Sequence, residues 1–140
     1  MMVTKCVPQL IKGESFKDNR GQILFNNDFD LKDVRRFYEI ENINSDYIRG
    51  WKGHTIESRW FFATKGVIKI SVSSFEKNGK LYKDSPIVFV LDSKTKDVLY
   101  VPKYYATTIK QLTDNAKVMV MSDYKLNETS DELTWEIESK

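Results

Sequence analysis

The chain has 140 residues, enough for one domain with a substantial core. Hydrophobic residues at 41% and charged residues at 30% exclude a disordered chain. Its 22 Lys+Arg against 20 Asp+Glu leave a formal charge of +2, too weak a bias for a nucleic-acid or membrane-surface partner.

Short β-rich runs broken by turn signals predict an antiparallel all-β domain, one sheet curled on another. "GQILFNN" is the first predicted strand, followed by the turn-like "NNDFD". "RRFYEIENI" places Phe37, Ile40 and Ile43 among polar neighbours, and the overlapping "DLKDVRRFYEI" also allows a short helical turn through Leu31, Val34 and Phe37. Trp60–Ala63 and Val67–Phe75 carry the strongest strand signal, with Ile68, Ile70 and Val72 alternating at period two and Gly66 turning the chain between them. Asn78-Gly79 predicts a type I′ hairpin turn. "PIVFVLD", "DVLYVP" and "AKVMVMSDY" continue the series, and the acidic tail from Asn127 reads as a surface extension anchored by Trp135. A single cysteine, Cys6, allows no internal disulfide and suits a reducing compartment. No apolar run reaches the ~20 residues of a membrane span, and the N-terminus has no signal-peptide pattern. The expectation is one cytoplasmic domain over residues 1–140, with its core at about 7–125 and an extension at 126–140.

Phosphate loops, Cys/His zinc spacings and serine nucleophile elbows are missing from the sequence. What remains is "IRGWKGHTIESRWFFATKG", which holds the only histidine, His54. Lys52-x-His54, four residues, Arg59, six residues and Gly66 has the spacing of the first cupin motif, and Pro102 with Thr107 five residues on resembles the second. More narrowly, "NRGQILF", "RRFYEI", "RGWKGH" and "DVLYVPKYYATTIKQLTDNAKVMVMSDY" resemble, in order, segments of two cupin families of the RmlC-like type. These are the sugar 3,4-ketoisomerases and the dTDP-4-dehydrorhamnose 3,5-epimerases; the resemblance spans residues 7–125 and implies a double-stranded β-helix.

By this resemblance the metal-ligand positions of a cupin read Lys52, His54, Arg59 and Thr107. Ammonium and guanidinium groups offer no lone pair to a cation, so neither metal nor cofactor is expected, and an anionic or enolate-like ligand suits the site instead. The families move a proton next to a ketone, which calls for a base near neutrality and positive charge at the developing oxyanion. The resemblance implies His54 as proton shuttle and Tyr38 as its acid or hydrogen-bonding partner at the sugar; Lys52, standing where the epimerases have their base histidine, is read as an enolate stabiliser, or as a base should burial lower its pKa. The resemblance assigns Arg20 and Arg49 to nucleotide phosphates; Arg59 and Thr107, at cupin ligand positions, are read as substrate contacts, and Tyr105, beside Pro102, as an aromatic that stacks on the nucleotide base or simply lines the rim. It also places Met119 where the epimerases have a catalytic tyrosine, leaves no counterpart for the aspartate that orients their histidine, and implies a homodimer.

The residues themselves leave plainer readings open. His54 fits a hydrogen-bonded strand position, Tyr38 a core or interface aromatic, and Arg35–Arg36 a solvated pair. Strand alternation puts Lys52 and His54 on one face, but Arg59 joins them only if the chain bends near Glu57–Ser58. An isomerase of a nucleotide-linked 4-keto sugar, an anion-binding module and a pairing subunit therefore all remain open readings.

Overall fold

A computed structural model describes residues 7–137; Cys6 and residues 138–140 lie outside the described range. Its strands are β1 (Gln9–Ile11), β2 (Glu14–Asp18), β3 (Gly21–Phe25), β4 (Arg36–Ile40), β5 (Ile48–His54), β6 (Arg59–Lys65), β7 (Val67–Ser74), β8 (Ile87–Asp92), β9 (Val98–Val101), β10 (Tyr105–Gln111), β11 (Lys117–Ser122) and β12 (Glu132–Thr134). All pair antiparallel, and no helix occurs among the described residues. One sheet runs β1-β9-β6-β11-β4, a second runs β12-β5-β10-β7-β8, and β2-β3 form a separate hairpin. Successive strands β5, β6 and β7 alternate between the two sheets, which folds one sheet over the other.

The inward faces meet in a core of Phe61, Ile68, Ile70, Val72, Leu91, Leu99, Val101, Val118 and Val120. The period-two pattern of β7 is the clearest case: Ile68, Ile70 and Val72 are fully buried, each contributing about 1.5–3 kcal/mol by removal from water. Gly66 makes the predicted turn at φ +68°, where a Cβ would lie 2.3 Å from Thr113 Oγ1. On the outer face of the first sheet Trp60, Val98, Tyr100 and Met121 form a second apolar layer, covered in part by Phe29 and Val34.

Three local expectations are corrected. The segment through Leu31 and Val34 makes only a turn (Val34 N–H to Leu31 C=O, 3.0 Å), and Arg36–Ile40 is strand. Pairing with β11 satisfies its backbone and turns Arg36, Tyr38 and Ile40 inward, leaving Phe37 70% exposed. At Asn78-Gly79 only the glycine has positive φ (94°), whereas type I′ needs it at both positions. The Gly79 N–H bonds Glu76 C=O and the Glu76 N–H bonds Lys80 C=O, a type I turn closed by a glycine bulge. Trp135 anchors the tail as expected, but the tail is more than a surface extension. β12 pairs with β5, Trp135 exchanges both backbone bonds with Trp51, and its indole donates to Gly79 C=O at 2.8 Å while packing on Phe75.

Candidate active site

β5 and β10 are paired with one residue out of step. Thr107 faces Lys52 and Thr108 faces Gly50, so Trp51 is extra and packs outward with Phe75. Gly50 sits at φ +122°, and a Cβ there would lie 2.3 Å from Thr107 C=O. The chain leaves β5 at His54, bends through residues 55–58 outside any strand, and enters the facing sheet at Arg59. This is the bend that the sequence required, and it brings Arg59 to the same cavity as Lys52.

That cavity, a cup of about 470 Å3 between the sheets, is lined by Arg36, Tyr38, Arg49, Lys52, Arg59 and Thr107, backed by Phe61 and Ile109. Lys52 is half-exposed and pairs with Glu132 at 3.0 Å. Arg49 donates to Asn42 Oδ1 at 3.2 Å. Arg36 donates to Tyr124 C=O at 3.1 Å, reaches Glu57 at 3.4 Å and lies over the Tyr38 ring. Arg59 is 3% exposed and donates to Thr107 Oγ1 at 3.4 Å and to the carbonyls of Tyr105 and Lys52 at 3.3 and 3.5 Å. Burial depresses its pKa.

His54 is buried beside the cup, in an adjoining cleft of about 270 Å3. Arg36, Leu126 and Glu132 line both spaces. Its Nδ1 lies 3.2 Å from Asp131 Oδ1 and 3.4 Å from Glu57 Oε2. An ionised carboxylate accepts only, so Nδ1 carries the proton and Nε2 is left as the basic nitrogen. Asp131 is fixed in turn by the Ile56 and Glu57 N–H groups at 2.7 and 2.8 Å and by the Thr129 hydroxyl at 2.9 Å. Burial, followed by the charge of Arg59, lowers the His54 pKa against the opposing pull of Glu57 and Asp131, which favours the neutral imidazole at neutral pH.

The structure thus brings Tyr38, Arg49, Lys52, Arg59 and Thr107 into one cup, with His54 in the adjoining cleft, and it leaves other expected residues elsewhere. Arg20 stands on the exposed turn of the β2–β3 hairpin, paired with Asp18 at 2.6 Å, and does not line the cup. Tyr105 lines a different cavity beside β7 and β8; its backbone carbonyl alone meets Arg59. Met119 belongs to the outer apolar layer, since alternation in β11 gives the inward face to Val118 and Val120. Sequence reasoning missed Arg36, Glu57, Asp131 and Glu132. The Arg36-x-Tyr38 alternation was a usable signal. Nothing local flagged Asp131, which arrives from 77 residues away. Asp131 orients His54, not position 52, where the epimerases have the histidine whose orienting aspartate was expected to have no counterpart.

The cupin metal positions do not fit a cation, with Lys52 and Arg59 both positively charged in the cup. His54, Glu57 and Asp131 do place ligand atoms within 4.8 Å of one another, but each carboxylate is already engaged by protein donors.

Two facing antiparallel sheets enclosing a polar cup define the cupin-type, double-stranded β-helix class of fold, which the chain shares with the rmlC epimerase of Mycobacterium tuberculosis. Within that class the chain belongs to the WxcM-like, C-terminal family (FdtA), whose sequence model matches residues 7–132. No curated protein matches the sequence. A variant of the 3,4-ketoisomerase QdtA from Thermoanaerobacterium thermosaccharolyticum, in complex with TDP-4-keto-6-deoxyglucose, is similar at a TM-score of 0.67 and 18% identity, over 94% of this chain and 88% of that one. The dTDP-4-dehydrorhamnose 3,5-epimerase of Bacillus anthracis str. Ames, with TDP and PPi bound, is similar at 0.71 and 17%, over 94% and 81%. NovW of Streptomyces spheroides, a 4-keto-6-deoxy sugar epimerase, is similar at 0.74 and 13%, over 95% and 71%. At these identities the likeness carries the fold.

Proposed function

We propose that the chain is a metal-independent isomerase or epimerase of a dTDP- or UDP-linked 4-keto-deoxy sugar, serving polysaccharide sugar biosynthesis in the cytoplasm. The observation that carries this reading is a buried, neutral-leaning imidazole clamped by Asp131 next to a cup lined with cations and Tyr38. The TDP and TDP-sugar complexes of the structural relatives support a nucleotide sugar as ligand. In the proposed reaction His54 Nε2 takes the proton from the carbon beside the ketone. The electron pair moves onto the ketone oxygen, giving an enediolate beside Lys52. In an isomerase the hydroxyl proton of the attacked carbon then passes to the former ketone oxygen, with Tyr38 as relay, while the carbon proton returns at the former ketone carbon. In an epimerase the carbon proton returns to the same carbon from the opposite face. Tyr38 hydrogen-bonds the sugar oxygens, Arg49 takes the diphosphate, and Thr107 and Arg59 contact the sugar. Arg20 and Tyr105 have no part in this single-chain cup.

Incubation in D2O with dTDP-4-keto-6-deoxyglucose or its UDP counterpart is expected to place solvent deuterium in the ring, and His54→Ala to abolish it. No exchange with any such sugar would refute the enzyme reading. One observation favours a second reading: His54 lines the adjoining cleft, and Lys52 is held by Glu132. A binding cupin would then hold nucleotide sugars with measurable affinity and return them unchanged by NMR. A homodimer is part of the proposal, because among the described residues β4 and β8 are unpaired sheet edges and Phe37 and Leu31 leave apolar surface bare. A monomeric mass at micromolar concentration would refute it.

A further inference from the structure

Glu132 is the odd charge of the cup. Among the described residues that line it, Arg36, Arg49, Lys52 and Arg59 are cations and Glu132 is the one carboxylate. Across the β5–β12 pair it stands directly opposite His54, so the two side chains share a face. Its backbone is fixed from both sides, by the hold of the Ile56 and Glu57 N–H groups on Asp131 and by the bonds that Trp135 exchanges with Trp51. Lys52 Nζ meets Oε1 at 3.0 Å, and the Glu132 side chain keeps 47% of its surface open. No other hydrogen bond reaches this carboxylate among the described residues. An exposed pair of this kind adds little to folding stability, so the fold does not account for a carboxylate set among cations. An ionised carboxylate only accepts hydrogen bonds, and what fits its open lone pairs is a donor on the ligand.

The ring of a 4-keto-6-deoxy sugar has few such donors. C1 carries the diphosphate, C4 the ketone and C5 the ring oxygen, and C6 is a methyl group, which leaves hydroxyls at C2 and C3. The C3 hydroxyl stands on the attacked carbon and belongs to Tyr38, so the C2 hydroxyl is the one left for Glu132. Along β5, Arg49, Lys52 and His54 follow one another, and a sugar with its diphosphate at Arg49 lays its ring against Lys52 and Glu132. We infer that Glu132 accepts a hydrogen bond from the C2 hydroxyl and makes the cup selective for sugars that keep this hydroxyl over 2-deoxy sugars. This rests on the reading that the cup binds nucleotide sugars and adds which sugars it takes. A 2-deoxy ring would displace water from the carboxylate and give it no donor in return.

The test is calorimetry on the full chain with dTDP- and UDP-glucose and their 2-deoxyglucose counterparts, which carry no ketone and do not react. The glucose conjugates are expected to bind about tenfold more tightly than the 2-deoxy conjugates, the range of one charge-assisted hydrogen bond at a half-exposed group. Glu132→Ala should bring the two to equal affinity. Glu132→Gln, which keeps an acceptor but loses the charge, should narrow the gap and serves if the Ala variant does not fold. A merely structural residue would weaken both conjugates alike and leave their ratio unchanged. Equal affinities in the native protein, or a ratio that stays at its native value in either variant, would overturn the inference and leave the nucleotide reading in place. If no dTDP or UDP conjugate binds, the nucleotide reading fails and this inference falls with it.

Discussion

Asp131→Asn changes one oxygen for an amide nitrogen at nearly constant volume, so its effect isolates charge. The native carboxylate receives the Ile56 and Glu57 N–H groups, the Thr129 hydroxyl and the imidazole of His54. Burial alone would raise its pKa, but the Glu57 and Ile56 amides together with His54 and Thr129 outweigh it and hold the group at about 2, below its ordinary 3.8. That difference corresponds to about 2 kcal/mol of folding stability. Because the folded value lies below the unfolded one, the contribution is complete above about pH 4 and fades as pH falls towards 2. The variant should therefore lose about 2 kcal/mol in urea unfolding near neutral pH, followed by tryptophan fluorescence, and the gap to the native protein should close below about pH 3. A gap that is absent at neutral pH, or that stays constant down to about pH 2.5, would refute the carboxylate clamp.

Three further outcomes follow from the same geometry. The single histidine gives one unambiguous ring-proton titration by NMR, and its midpoint should fall below about 6.5, since burial and Arg59 prevail over the two carboxylates. A folded value depressed in this way means that His54 contributes stability above about pH 6.5 and withdraws it on acidification through the folded midpoint; a midpoint at or above 6.5 would contradict the burial argument. Trp135→Ala removes the indole bond to Gly79 and the contact with Phe75 that hold β12 in place, and should cost about 2–3 kcal/mol in urea unfolding while raising amide exchange at Asp131; protection unchanged from native would show that the tail is held by something else. Ile70→Ala leaves a cavity at a fully buried position and should cost about 3 kcal/mol by the same measurement, a loss under about 1 kcal/mol meaning that the core closes over the gap.

Much of the fold was legible because period-two patterning is a local signal. Ile68, Ile70 and Val72 announced β7 and its buried face, and the Lys52–His54 alternation put both residues on one side of β5. β1 and β12, three residues each, carried too few residues to show a period, and β12 is held by pairing with β5. The site was half legible for the same reason. Lys52, His54, Arg59 and Thr107 follow from motif spacing, and the bend at residues 55–58 follows from parity. The clamp of Asp131 on His54 is a tertiary contact between the tail and β5, with no trace in the spacing of either segment. Arg20 and Tyr105 show the converse. Family resemblance suggested Arg20 and a place beside Pro102 suggested Tyr105, but Arg20 sits on the β2–β3 turn and does not line the cup, and Tyr105 lines a neighbouring cavity. Met119 fails by parity, one residue from the inward-facing Val118 and Val120.

The most direct test of the central claim is a crystal structure of the protein soaked with dTDP or UDP. The account predicts a diphosphate at Arg49, with the sugar end directed past Lys52 towards Tyr38 and Arg59. A nucleotide seated outside the cup, against the outer apolar layer or the β7–β8 cavity, would contradict it.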